Sequence, residues 1–174
     1  WRGAAPIQRS ILNNEKMTGI SFMKINEKLD SGPVCNKYSV DILDHDNAVT
    51  LSEKLSNLSA NKISENVKKI LNDQAFFEDQ DDNLATYAKK INKDEGQINW
   101  KEDANLILAK INGLYPQPGG WFKYENNRYK ILKATFCEDN KEPGEIIEKD
   151  LTISCGNNSI KVIKIQREGK KPQF

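Results

Sequence analysis

The chain has 174 residues, 37% of them apolar, and 26 basic against 25 acidic side chains for a net charge of +1. Its mean hydropathy is −0.70, and no apolar run approaches the roughly 18 residues that cross a bilayer, which excludes a membrane-spanning reading and a strongly basic duplex-binding domain alike. Three widely spaced cysteines (Cys35, Cys137, Cys155) and a single histidine, His45, argue against a disulfide scaffold, a Cys-based zinc site and multi-histidine chemistry.

The chain opens on Trp1-Arg-Gly with no basic-then-apolar leader, so no signal peptide is expected and the sequence reads as a piece of something longer. Ala5, Ile7, Ile11 and Leu12 recur near helical spacing and predict a helix over 4–12, ended by Asn13 and Asn14. Residues 18–25, rich in large and β-branched apolar side chains, predict a buried strand. A polar loop over Asn26–Asp30 leads into the turn signal Ser31-Gly-Pro33, and 34–42 predicts a second strand. Thr50 and Glu53 are spaced as a capping box. They introduce a long helix with Leu51, Leu55, Leu58, Ile63, Val67, Ile70 and Leu71 on one face.

Residues 76–100 carry a net charge of −3 and lack periodicity, as a joint does, with Phe76 and Phe77 expected to anchor it. Asn99 is placed to cap a helix from Trp100 whose buried stripe is Ala104, Ile107, Leu108 and Ile111, stopped by Gly113. Beyond Pro116, Pro118, Gly119 and Gly120, five short apolar-rich runs (121–124, 129–136, 145–147, 151–155, 159–166) separated by Asn- and Gly-containing turns predict a small antiparallel barrel of the OB type. The fold class expected is therefore α/β followed by all-β. The front segment, too short in strands to stand alone, resembles the second half of an α/β layer.

Asp30 follows a strand and a polar loop, where α/β sheets place ligands, although an Asp before Gly also commonly bonds its own turn. His45, between Asp44 and Asp46 with no second His or Cys nearby, reads as a solvated surface group. Lys89, Lys90 and Lys93, and a second cluster of Lys161, Lys164, Arg167, Lys170 and Lys171, suit phosphate contact or a charged edge that resists aggregation.

Several segments, in chain order, resemble the methionyl-tRNA formyltransferase family. They are Trp1-Arg-Gly-Ala-Ala-Pro-Ile-Gln8, Thr18-Gly-Ile-Ser-Phe-Met23, Leu29-Asp-Ser-Gly-Pro-Val34, Thr86-Tyr-Ala-Lys-Lys-Ile91 with Ile98-Asn-Trp100, Tyr115-Pro-Gln-Pro-Gly-Gly-Trp-Phe122 and Gly169-Lys-Lys171. The resemblance implies the C-terminal part of a Rossmann-like formyltransferase domain over 1–75, a linker over 76–98 and an OB-like tRNA-binding domain over 99–174. It implies formyl transfer from 10-formyltetrahydrofolate to the amino group of initiator methionyl-tRNA, without a metal, in a cytoplasmic monomer not bound to membrane.

In that family an Asn and a His work with the Asp of the Leu-Asp-x-Gly loop, here Asp30, as catalytic groups. The loop Asn26, Glu27, Lys28 and Leu29 would line the pterin pocket through its backbone. Arg2 joins Lys89, Lys90, Lys93, Lys161, Lys164, Arg167, Lys170 and Lys171 as expected tRNA contacts. The family's Asn and His precede its Trp-Arg-Gly segment, so these 174 residues are expected to be inactive alone. Two other readings stay open: a related folate-dependent formyltransferase acting on an amino-sugar nucleotide, and a stand-alone RNA-binding module.

Overall fold

The computed structural model describes residues 1–148 and 150–174, in two compact units. One comprises Trp1–Ser10 and Glu15–Lys90, the other Ile11–Asn14 and Ile91–Phe174. In chain order the elements are β1 (Arg2–Gly3), α1 (Pro6–Leu12), β2 (Met17–Met23), β3 (Val34–Asp41), α2 (Ala48–Leu71), β4 (Tyr87–Ala88), α3 (Ala104–Gly113), β5 (Gly120–Tyr124), β6 (Asn127–Cys137), β7 (Ile146–Glu148), β8 (Thr152–Ser154) and β9 (Ser159–Arg167).

In the first unit β2 and β3 form an antiparallel hairpin running from Met17 opposite Asp41 to Met23 opposite Val34. Helix α2 lies against both strands. It buries Leu51 completely and Leu55 nearly so, but Ile63, Val67, Ile70 and Leu71 are exposed. The apolar stripe expected along the whole helix is thus covered only over its first turns, because two strands are all the sheet that stands beneath it among the described residues. Asn66 breaks that stripe with a buried polar link. Its amide donates to the Tyr38 hydroxyl (3.0 Å) and the Lys62 carbonyl (2.8 Å), while Asn36 donates to its oxygen (2.6 Å). A fully buried amide is tolerated because both its ends are hydrogen-bonded.

The helix starts earlier than the Thr50–Glu53 box predicts. Asn47 is the N-cap, accepting from the Val49 and Thr50 amides, and the Thr50 hydroxyl accepts in return from the Asn47 amide. The start is fixed by Asp46, 2% exposed, which accepts from the Leu43 amide, the Thr50 hydroxyl and the Lys54 ammonium. Burial alone would push the Asp46 pKa up; the hydrogen bonds from Lys54, Leu43 and Thr50 outweigh it and hold the carboxyl below the usual range. A carboxyl lowered on folding contributes stability above its unfolded pKa of about 4, and that contribution is lost as pH falls through the folded value. Asp46→Asn is therefore expected to cost about 2 kcal/mol at neutral pH. In urea titrations at several pH values the gap between the two proteins should close below about pH 4; equal stability at pH 7 would remove Asp46 from this role.

The other unit is a five-stranded antiparallel sheet in the order β5-β6-β9-β8-β7, with α3 packed on it. Ile98, Ala104, Ile107, Ile111, Ile131, Ile153, Cys155, Ile160 and Val162 make its core. Register shifts between Ile131 and Ala134 interrupt the β6–β9 ladder, the kind of irregularity that bends a strand. Helix α3 begins at Ala104, not Trp100. Asp103 is its cap, accepting from the Asn105 amide, whereas Asn99 only closes a turn with Lys101. Phe76 and Phe77 do not act as a pair: Phe76 is 77% exposed, and Phe77 lies under the Lys24 ammonium at 4.2 Å.

Candidate active site

Asp30 sits at the hinge of the loop between β2 and β3, with φ +53°. That left-handed conformation disfavours most side chains and is tolerated best by Gly, Asn and Asp. Its carboxylate oxygen Oδ2 accepts from the Gly3 amide at 2.8 Å. Ser31 shapes the preceding turn by donating to Asn26 Oδ1 (2.9 Å) and the Lys28 carbonyl (3.0 Å). Gly32 passes so close to Lys24 that an added Cβ would stand 1.8 Å from the Lys24 carbonyl oxygen.

Gln80 ties this loop to the start of the chain. Its amide donates to the carbonyls of Asp30 (3.1 Å) and Gly32 (2.7 Å), and its oxygen accepts from Arg2 Nε (3.2 Å). Arg2, 6% exposed, also pairs with Asp82 at 2.8 Å. That hydrogen bond holds the Asp82 carboxyl below the usual range and raises the guanidinium pKa. β1 in turn pairs parallel with β4, Arg2 opposite Tyr87 and Gly3 opposite Ala88. The Trp-Arg-Gly and Thr-Tyr-Ala segments, more than eighty residues apart, are thus two sides of one ladder.

Arg2, Asp30 and Gln80 line a cavity of about 1160 Å³, with Val34, Cys35 and Phe76 among its other wall residues. Glu78, Asp79 and Asp81 add negative charge to its wall, against Lys37 and Lys69, the latter ion-paired with Glu65. A carboxylate held in place by an amide can orient a neighbouring base or water, which is the help an amine needs when it attacks a carbonyl carbon.

Of the residues singled out in the sequence, Asp30 and Arg2 line the cavity, while the side chains of Asn26, Glu27, Lys28 and Leu29 point elsewhere and are exposed. Arg2, expected among the tRNA contacts, is buried, with its charge matched by Asp82. Lys89 and Lys90 are exposed, their carbonyls accepting from Arg9. In the other unit Lys93, Lys170 and Lys171 are exposed, Lys161 is ion-paired with Asp150, Lys164 lies 4.6 Å from the Phe174 ring centre, and Arg167 donates to Asn127. His45 is exposed and lines no wall of the cavity. Gln80 has no marker in the sequence: it lies in an aperiodic acidic stretch, 50 residues from the loop it holds.

Cys35, Cys137 and Cys155 are free thiols, and burial pushes Cys155 up to about 11, an unreactive state at neutral pH. Among the described residues no cluster of three metal-ligating side chains occurs, and no helix is long and apolar enough to cross a membrane.

Family models match both parts of the chain: "Formyl transferase" covers residues 1–67 and "Formyl transferase, C-terminal domain" residues 90–173, and the chain belongs to this family. The methionyl-tRNA formyltransferase of Pelagibacter ubique (strain HTCC1062) is 60% identical over 174 residues, covering 99% of this chain and 56% of that protein. The chain thus spans about half the length of the curated relatives it matches.

Two solved structures share the fold. The N-formyltransferase from Helicobacter canadensis, in complex with folinic acid and dTDP-3-aminofucose, superposes with a TM-score of 0.76 at 21% identity, over 95% of this chain and 61% of that one. The methionyl-tRNA formyltransferase from Clostridium thermocellum gives 0.62 at 20% identity, over 93% and 63%.

Proposed function

We propose that this chain is part of a methionyl-tRNA formyltransferase, which moves the formyl group of 10-formyltetrahydrofolate to the α-amino group of methionine on initiator tRNA. The observation that carries the reading is the 60% identity along 99% of the chain with a protein of that name. The sugar-acting relative shares the fold at 21% identity, a level that says nothing of the acceptor.

In this reading residues 1–75 are the C-terminal part of a Rossmann-like catalytic domain, 76–98 the linker and 99–174 an OB-like barrel that meets tRNA. The amine attacks the formyl carbon, the new C–N bond forms, an oxyanion develops on the formyl oxygen, and the bond to N10 breaks as N10 takes up a proton. Asp30, anchored on the Gly3 amide, keeps a base and a water in register for the proton leaving the amine. Among the described residues the amides of Asn26–Leu29 donate no backbone hydrogen bond in turns and loops, which suits a loop that offers its backbone to the pterin edge.

Lys89, Lys90, Lys93, Lys161, Lys164, Arg167, Lys170 and Lys171 supply phosphate contacts along the acceptor arm, while Arg2 braces the cavity wall. The enzyme works as a cytoplasmic monomer. Because the base and the oxyanion donor that Asp30 serves have no counterpart beside it among the described residues, these 174 residues alone do not turn over. Formylation of methionyl-tRNA by the full-length protein, with an amino-sugar nucleotide as the rival acceptor, tests the reading.

A further inference from the structure

Four residues of the first unit close a ring around the candidate carboxylate. The Gly3 amide donates to Asp30 Oδ2 (2.8 Å), Gln80 Nε2 donates to the Asp30 carbonyl (3.1 Å), Arg2 Nε donates to Gln80 Oε1 (3.2 Å), and Arg2 is joined to Gly3 by the peptide bond. The same Gln80 nitrogen donates to the Gly32 carbonyl at 2.7 Å, with Met23 Sδ a weak further acceptor at 3.8 Å. Asp30 is therefore gripped twice, at its carboxylate by Gly3 and at its backbone by Gln80. It needs that hold, because its φ of +53° costs energy unless neighbouring groups impose it.

The partners select a carboxamide at this position. Arg2 offers only donors and the two carbonyls only accept, so the side chain between them must accept on one atom and donate from another. Glutamate lacks the donors, lysine and arginine lack the acceptor, and methionine lacks both. The same asymmetry fixes which way the Gln80 amide faces. The far side of the ring is anchored too: Arg2 Nη1 pairs with Asp82 at 2.8 Å, and Arg2 and Gly3 lie in the ladder opposite Tyr87 and Ala88.

We propose that Gln80 is a positioning residue for formyl transfer, its amide setting the direction of the Asp30 carboxylate by fixing the backbone on either side of Ser31. Both of its polar atoms are spent on protein partners, so it acts through Asp30 and not on the substrate. The inference rests on the role given to Asp30 above and adds a residue 50 positions away in the chain.

The test is steady-state formylation of methionyl-tRNA by the full-length protein, with Gln80→Met and Asp30→Asn made singly and together. Gln80→Met keeps the side chain's length and removes its polar bonds, so kcat should fall about 10- to 100-fold while KM for donor and acceptor stays within about twofold. Gln80→Glu keeps the bond from Arg2 but turns an oxygen on the two carbonyls, and should lose at least as much. In the double variant the losses should not multiply: its kcat should match that of Asp30→Asn within about twofold, because the loop that Gln80 aims no longer carries a carboxylate. Near-normal kcat in Gln80→Met, with Asp30→Asn slow, would overturn the positioning role and leave the Asp30 reading standing. Losses that multiply, or loss of the fold in both Gln80 variants, would make Gln80 a structural residue and overturn the inference as well. Near-normal turnover of Asp30→Asn would overturn the Asp30 reading and this inference with it.

Discussion

Asp30→Asn in the full-length protein is expected to lower kcat/KM for formyl transfer by about 10²- to 10⁴-fold while leaving the fold intact. Two features make the substitution clean. Asparagine tolerates the left-handed φ of +53° as well as aspartate does, and its amide oxygen can still accept from the Gly3 amide 2.8 Å away. The charge is removed and the second acceptor oxygen becomes an N–H donor, so a fall in turnover reports on the carboxylate and not on the loop. Stopped assays with formyl donor and charged tRNA, alongside a thermal melt, would read both. A melt within a few degrees of the parent with near-normal turnover would remove Asp30 from the mechanism.

Gly32→Ala is expected to be more damaging than its size suggests. The new Cβ would stand 1.8 Å from the Lys24 carbonyl oxygen, a backbone atom tied into the hairpin by the Lys24 amide, which donates to the Pro33 carbonyl at 2.9 Å. Neither side can yield by rotating a side chain, so the loop itself must move. The strain should cost about 3 kcal/mol or more. Because Gln80 bonds the carbonyls of both Asp30 and Gly32, the carboxylate moves with it. Displacement by about 1 Å is enough to cost a hundredfold in rate. Gly169→Ala is the matched control: its φ is +71°, but nothing lies within 4 Å of the added carbon, so only the backbone cost of about 1 kcal/mol is expected. Urea unfolding of the two variants should separate them clearly; equal destabilisation would mean the loop gives way more easily than the approach to Lys24 implies.

Local patterns in the sequence locate most of the elements, and their ends shift where side chains choose between near-equivalent partners. Asn47 and Thr50 share one capping spacing, and Thr50 and Glu53 the next. The earlier pair wins because Asp46, buried just ahead, takes the Thr50 hydroxyl and the Lys54 ammonium together. Likewise Asn99 and Asp103 both precede apolar periodicity. Asp103 caps α3 because its second carboxylate oxygen also accepts from Asn157 in the loop before β9.

The site is legible in Asp30, whose loop motif is local, and illegible in what holds it. Gln80, Asp82 and Thr86–Ala88 reach the Trp-Arg-Gly segment only through bonds spanning more than seventy residues. Arg2 shows the limit most sharply. The family resemblance sets it among the expected tRNA contacts, and nothing in the sequence shows that the fold buries it beside a carboxylate. The contact of Arg128 with the Trp121 ring is hidden for the same reason, since it is a property of the folded sheet.

The choice of acceptor is the most direct measurement. Purified full-length protein, supplied with 10-formyltetrahydrofolate and equal concentrations of initiator methionyl-tRNA and a dTDP-amino sugar, should place the formyl group on the tRNA-borne methionine at a rate that saturates with tRNA. The sugar should stay unmodified, and the 174-residue chain alone should show no turnover above background. Formylation of the sugar with the tRNA untouched would contradict the proposed acceptor, and comparable turnover by the 174 residues alone would contradict the place given to Asp30 within a larger catalytic set.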